Sequence, residues 1–264
     1  MPSHPSAPRR SIPALKQLPR PLYSRHESLA PGSLTEAHSH AWGQLSYASR
    51  GVLEVRTPLG GFVAPPRHAV WVPAALEHQV LNHGRTEMRS LYVRADAAAL
   101  LPTACTVLQV SGLARELIER VSQLPVAYDE TGAEGRLAVV LLDELARLPQ
   151  AAFQLPLARD RRVLQVCAAL QWQPDDRRSL GEWGQWVGAS ERTLARLFLQ
   201  ETGLGFGAWR QRLRLLLSLQ ALEAGDSVTA VALGHGYESP SAFIVAFRAA
   251  FGATPGEMRG RAAA

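Results

Sequence analysis

The stretch SVTAVALGHGYESPSAFIVAFRAAFG, residues 227–252, can be laid over SLGEWGQWVGASERTLARLFLQETG, residues 179–203. Ser190 meets Ser239, Leu194 meets Phe243, Phe198 meets Phe247 and Gly203 meets Gly252, each at an offset of 49 residues. Each copy reads as a short helix, a turn at Gly188 or Gly236, and a second helix opened by a serine N-cap. Glycine lets the backbone double back, while Leu194/Phe198 and Phe243/Phe247, four apart, bury one helix face. This is the pattern of a helix-turn-helix, whose second helix can enter a major groove. One copy is a weak signal, because many helical hairpins share it. Two copies with matched anchors are a strong one, although a plain helical bundle with an internal duplication would also carry them.

The segment between the copies, GFGAWRQRLRLLLSLQALEAG (205–225), reads as a connecting helix. It could hold the two units against successive major grooves, about 34 Å apart. On the first recognition helix, the face opposite Leu194, Leu197 and Phe198 presents Arg192, Thr193, Arg196 and Gln200. Arginine can fork onto guanine O6 and N7, and threonine can touch phosphate or a thymine methyl. The second helix offers Ser241, Ala242 and Val245, which favour apolar contact and shape, with Arg248 expected at phosphate. Sequence specificity is therefore expected mainly in the first unit. Arg210, Arg212 and Arg214 read either as phosphate contacts or, as is commoner for such a cluster, as solvated surface.

GHGYESPSAFIVAFRAAFGATP resembles the signature of the AraC/XylS class of bacterial transcription regulators, through Gly236, Tyr237, Ser239, Phe243, Phe247, Arg248, Gly252, Thr254 and Pro255. The resemblance covers about residues 159–260. It implies a double-stranded DNA operator, most base readout in the first recognition helix, a homodimer, an RNA polymerase partner, and activation rather than repression. Relatives often carry a basic or polar residue where Val245 stands.

The first half is different. From Gly43 to Val93, short apolar runs (QLSYAS, GVLEVRT, GGFVAPP, AVWVP, HQVLNH, MRSLYV) alternate with turn residues, as in a small antiparallel sandwich or barrel. Helical periodicity follows at 112–124 and 132–148, with stripes Leu113, Leu117, Val121, Leu124 and Leu137, Leu141, Leu145, Leu148. Either both stripes pack on the barrel, or one pairs with a second subunit.

Within this half, HSHAWGQ (38–44) sits in the frame G-x5-H-x-H-x3-Q-x6-G, from Gly32 to Gly51. Further on, Pro73, His78 and Asn82 give P-x4-H-x3-N. If 38, 40, 42 and 44 lie on one strand, then His38, His40, Trp42 and Gln44 share a face, and His78 can join them from a neighbouring strand. Three imidazoles and an amide oxygen suit Zn, Ni or Fe. Two other readings stay open: a metal-free pocket for an organic anion, with Trp42 and Trp71 as apolar wall, or satisfied core histidines. The frame resembles the paired motifs of cupin barrels over residues 27–95, with Gln44 where a glutamate is usual and with Arg67 and Ala75 in place of glycines. Losing the carboxylate removes a negative charge and weakens the hold on a dication. Glu77 has the wrong parity to join His78, and His4, His26, His68, His83 and His235 fit neither motif.

Composition sets only outer limits. With 264 residues and 47% hydrophobic side chains there is material for two cores. No run approaches the roughly 20 apolar residues of a membrane span. The start, rich in Pro, Ser and Arg, reads as a flexible arm without a secretory signal. Cys105 and Cys167 make no disulfide framework, so a cytoplasmic location is expected. The net charge of +5 favours an acidic partner but weakly, since Arg9, Arg10, Lys16, Arg20 and Arg25 all precede the first acid, Glu27.

The expected architecture is α+β with two domains. A flexible arm (1–26) precedes a cupin-like sensor barrel (27–95) and a helical dimerisation or packing segment (96–150). A linker (151–158) leads to the DNA-binding domain (159–260), with helix-turn-helix units at 179–202 and 227–251. The expected function is a DNA-binding regulator, not an enzyme and not membrane-bound, that answers a small molecule or metal in the barrel. The rivals are a constitutive regulator whose barrel only dimerises and, more remotely, a metal-dependent cupin enzyme.

Overall fold

The computed structural model describes residues 9–10, 15–64, 67–82, 85–151, 153–156 and 158–262. Residues 1–8 and 11–14 of the expected arm, His4 among them, and His83 lie outside this set. The chain divides into two units, residues 1–58 with 62–154, and residues 59–61 with 155–264.

The first unit is rich in sheet. One six-stranded sheet runs Arg9–Arg10 (β1), Leu34–Thr35 (β3), Gln79–Asn82 (β8), Leu53–Thr57 (β5) and Gly60–Ala64 (β6), with Gln154–Pro156 (β12) last. The other runs Gln150–Ala151 (β11), Thr106–Gln109 (β10), His68–Val72 (β7), Gly43–Arg50 (β4), Thr86–Val93 (β9) and Leu22–Leu29 (β2). Two separate hydrogen-bonded sheets stand where a closed barrel was expected.

Three further expectations change. The flexible arm expected over 1–26 ends earlier, because Leu22–Leu29 pairs with β9 in unbroken antiparallel register from Leu22↔Val93 to Leu29↔Thr86. Its charged alternation marks a half-exposed edge strand, a common guard against edge pairing. Residues 106–109 and 154–156, expected in helical and linker segments, are short strands, the first between β11 and β7 and the second at the end of its sheet. Three or four residues carry too little periodicity to be seen until a partner strand supplies the ladder.

β4 lies between β7 and β9 and sorts its side chains by parity. Gln44 pairs with Val72 and Tyr92, and Ser46 with Val70 and Ser90, on one face. Leu45 and Tyr47 share the other face with Trp71, Ala69 and Leu91. Gly112–Val121 (α1) and Ala133–Arg147 (α2) cover that second face. Leu117, Val121, Leu141, Leu145 and Leu148 are buried there, so both stripes serve the core of their own chain. Each such buried Leu or Val contributes roughly 1.5–3 kcal/mol. Leu113 alone of the two stripes is exposed.

The second unit is helical: Arg161–Trp172 (α3), Leu180–Val187 (α4), Glu191–Thr202 (α5), Phe206–Glu223 (α6), Val228–Gly234 (α7), Pro240–Phe251 (α8) and Pro255–Ala262 (α9). Ser179 and Glu182 form a capping box that starts α4. Ser190 Oγ accepts from Thr193 N to start α5, and Ser239 Oγ accepts from Ala242 N to start α8. Gly188 ends α4 at φ +71, a left-handed conformation that favours glycine. Leu194, Phe198, Phe243 and Phe247 are all fully buried, so the anchors matched across the two copies are the cores of two helix pairs, α4–α5 and α7–α8.

No helix among the described residues is long and apolar enough to cross a membrane.

Candidate functional sites: a histidine cluster and an arginine-bearing helix

His38, His40 and His78 converge, with one ring nitrogen from each lying within 4.8 Å of the others. Backbone hydrogen bonds bring their loops together. His38 N donates to His78 O (3.1 Å), His78 N to His38 O (2.9 Å), and Ala75 N to His40 O (2.8 Å). The expected single strand through 38, 40, 42 and 44 is not what aligns them, because β4 begins only at Gly43 and His38 meets His78 in an isolated bridge.

Each imidazole donates Nδ1–H to a backbone carbonyl: His38 to Glu36 (2.9 Å), His40 to Trp42 (2.7 Å) and His78 to Leu76 (2.9 Å). In that tautomer the Nε2 atoms of His40 and His78 are the acceptor nitrogens of their rings. His40 Nε2 and His78 Nε2 lie 3.1 and 3.2 Å from Gln44 Oε1, which cannot donate to them. The Gln44 amide nitrogen is occupied, donating to Ser46 Oγ at 3.1 Å. Burial pushes the His78 imidazole down to about 4, and the neighbouring His38 and His40 add to this against the Leu76 bond, so His78 itself is a poor proton donor to Gln44 near neutral pH. A cation suits the arrangement. Ligands about 2.1 Å from one metal stand roughly 3.0–3.5 Å from each other, and an Nδ1–H donated outward is the usual support of a ligating histidine. Neutral ligands alone leave a dication's charge uncompensated, which limits affinity.

Aromatic rings border the cluster. Trp42 stacks on His40 (centroids 5.1 Å, 11° between planes), and Tyr92 meets His40 edge-on at 6.0 Å. Tyr92 was not singled out in the sequence, though its pairing with Gln44 across β4 and β9 is what places it here. Trp42 Nε1 and Ser90 Oγ are buried without a hydrogen-bond partner among the described residues.

Trp71, expected as pocket wall, is not in this site. It pairs with Leu45 rather than Gln44, so it lies on the opposite face of the sheet, and its Nε1 donates to Pro102 O at 2.7 Å. The register of β7 against β4 decides this, and no spacing in the sequence reveals it. Arg67 and Ala75, which stand where the cupin pattern has glycines, keep the glycine conformation at φ 68° and 64°. Glu77 is exposed.

On α5, Arg192, Arg196 and Gln200 are exposed at four-residue spacing. Arg196 Nη1 donates to Gln200 Oε1 (2.7 Å), while half-buried Thr193 places its hydroxyl 2.9 Å from Ser190 Oγ at the cap. On α8, Ser241, Ala242, Val245 and Arg248 are exposed, Val245 at 70%. Arg210 and Arg214 are not solvated surface. Both are part-buried and donate to carbonyls within this unit.

A family model described as a helix-turn-helix domain matches residues 183–261. The HTH-type transcriptional regulator NimR of Escherichia coli (strain K12) is 36% identical over 224 residues, spanning 85% of this chain and 82% of that protein. The chain belongs to the AraC/XylS class of transcription regulators. This AraC-type protein is thus a DNA-binding regulator, not an enzyme. It is also 37% identical over 100 residues to the HTH-type transcriptional regulator RipA of Corynebacterium glutamicum, covering 38% of this chain and 30% of that one. A solved AraC-type DNA-binding protein from Chromobacterium violaceum aligns with 39% of the regulator and 92% of its own chain, at 27% identity and a TM-score of 0.37.

Proposed function

We propose that this regulator answers a divalent transition metal held by His38, His40, His78 and Gln44, and reads its operator through both helix pairs. The observation that carries the metal is the convergence of ligand atoms: the Nε2 atoms of His40 and His78 face the Gln44 oxygen at 3.1 and 3.2 Å, and His38 completes a group of ring nitrogens within 4.8 Å of one another. Zn, Ni and Fe all suit an imidazole-rich set. Readout of bases is assigned to Arg192, Arg196 and Gln200 on α5, with Thr193 at the cap. On α8, Ser241, Ala242 and Val245 supply shape contact and Arg248 meets phosphate.

The metal acts on transcription only by binding one arrangement of the regulator more tightly than another, since equal affinity for both shifts nothing. Activation through RNA polymerase follows the family resemblance. The homodimer is assigned to the outward face of α2, where Val139 and Val140 are 57% and 49% exposed. Sedimentation of wild type and Val139→Glu tests that face.

The main test is metal content of untagged protein beside a His38→Ala/His40→Ala variant, followed by operator affinity with and without Zn(II) or Ni(II). Near-stoichiometric metal lost in the variant, with operator affinity shifted by the metal, is the expected result. No metal in either protein would return the pocket to an organic anion. Metal without any effect on DNA binding would favour the constitutive regulator.

A further inference from the structure

We propose that Arg214 is a positioning residue that sets the spacing between the two DNA-reading helix pairs, and so determines which operator spacings the regulator accepts. The inference rests on the reading that both pairs contact DNA. Arg214 lies near the middle of α6, the helix joining them. Its Nε donates to Pro174 O (2.7 Å) and its Nη2 to Asp176 O (3.1 Å), both in the segment that leads into α4. Its Nη1 donates to Gly236 O (3.1 Å), in the turn between α7 and α8. One planar guanidinium therefore holds carbonyls from the loop entering the first pair and from the turn of the second in its fixed fork of donors.

The acceptors are backbone atoms, so the tie fixes the loops themselves and not merely side chains that could rotate away from the guanidinium. Gly236 shows how close the approach is. At φ +76, a Cβ there would lie 2.6 Å from Arg214 Nη2 and 2.9 Å from the Cα of Asp175. The second turn thus seats its bare backbone against Arg214 and against the entry loop of the first pair. Arg210, one helical turn earlier, donates Nη1 to Arg178 O at 3.0 Å and places its guanidinium 4.8 Å from the Phe206 ring centre. That hydrogen bond braces the entry to the first pair, and Arg210 serves as the control.

Spacing is a quantity DNA makes discrete. One added base pair moves a box by about 3.4 Å and turns it by roughly 35°. A stiff spacer rejects that change, and a loose one tolerates it.

The test begins with duplexes enriched by the wild-type protein from a randomised pool, with the two boxes located by footprinting. Affinity is then measured for one base pair inserted or deleted between the boxes, and for a scrambled second box. Wild type should lose roughly tenfold or more for either spacing change. Arg214→Lys, which keeps the charge and loses the fork, should lose less than about threefold, with affinity for the first box alone within about twofold of wild type. Arg210→Ala should keep the wild-type spacing profile. A folded Arg214→Lys with the full wild-type spacing penalty overturns the proposal. Wild-type indifference to the scrambled second box overturns instead the reading that both pairs bind DNA, and this proposal with it. Should Arg214→Lys fail to fold by circular dichroism, Gly236→Ala decides the matter from the other end of the same hydrogen bond, with the same two outcomes.

Discussion

His78 Nε2 stands 3.2 Å from Gln44 Oε1, an acceptor held against an acceptor by strands and loops on either side. Replacing the amide by a carboxylate keeps the shape and adds the negative charge that a dication lacks here. Gln44→Glu should therefore tighten Zn(II) binding by about tenfold or more. Competition against a chromophoric chelator measures this, and an unchanged constant would remove Gln44 from the ligand set.

The two tryptophans near the site should separate cleanly. Trp42 stacks on His40, so Zn(II) or Ni(II) should change indole emission in wild type and not in Trp42→Phe. Trp71 lies across the sheet. Trp71→Phe should cost about 1–3 kcal/mol in urea unfolding, through the orphaned Pro102 carbonyl and the lost ring volume, while metal affinity stays put. A metal-binding defect in folded Trp71→Phe would mean that the two faces of the sheet are coupled.

Ala75 is held at φ 64°, where a Cβ is strained. Ala75→Gly should stabilise the protein by roughly 0.5–1 kcal/mol, the relieved strain being partly offset by glycine's extra freedom in the unfolded chain. Chemical denaturation reads the difference. Because Ala75 N bonds His40 O, metal affinity should also survive, since the loop conformation is unchanged.

Arg192→Ala and Arg196→Ala should each cost about 1–3 kcal/mol of specific operator binding if they read bases. Unaltered affinity in both would move the readout away from α5. Val245 offers the complementary experiment, because its exposed methyls face outward without charge. Val245→Arg should strengthen binding to any duplex and steepen the salt dependence by about one phosphate contact.

Much of the site could be read before any coordinates. His38, His40, Gln44 and His78 stood out by spacing, and their convergence does not depend on the strand geometry first assumed for them. Trp71 lies on the other face because β7, buried throughout, carries no alternation to read, and only its register against β4, which pairs Val72 with Gln44, assigns the face. The leucine stripes of α1 and α2 had two equally sound uses, and periodicity cannot choose between a sheet and a second subunit. The strands at 106–109 and 154–156 were too short to signal themselves.

The DNA-binding half lay closest to the surface of the sequence. Serine caps, glycine turns and anchors four apart are local chemistry, each acting within a turn or two of its own position, so a linear reading recovers both helix pairs. Arg214 is the contrary case. As one arginine among several on α6 it reads as solvated charge, and only the folded unit brings the Pro174–Asp176 loop and the distant Gly236 within reach of one guanidinium. Local hydrogen bonding determined which helices form. Their assembly, and with it the work of Arg214, was decided by contacts between segments that no spacing along the chain could announce.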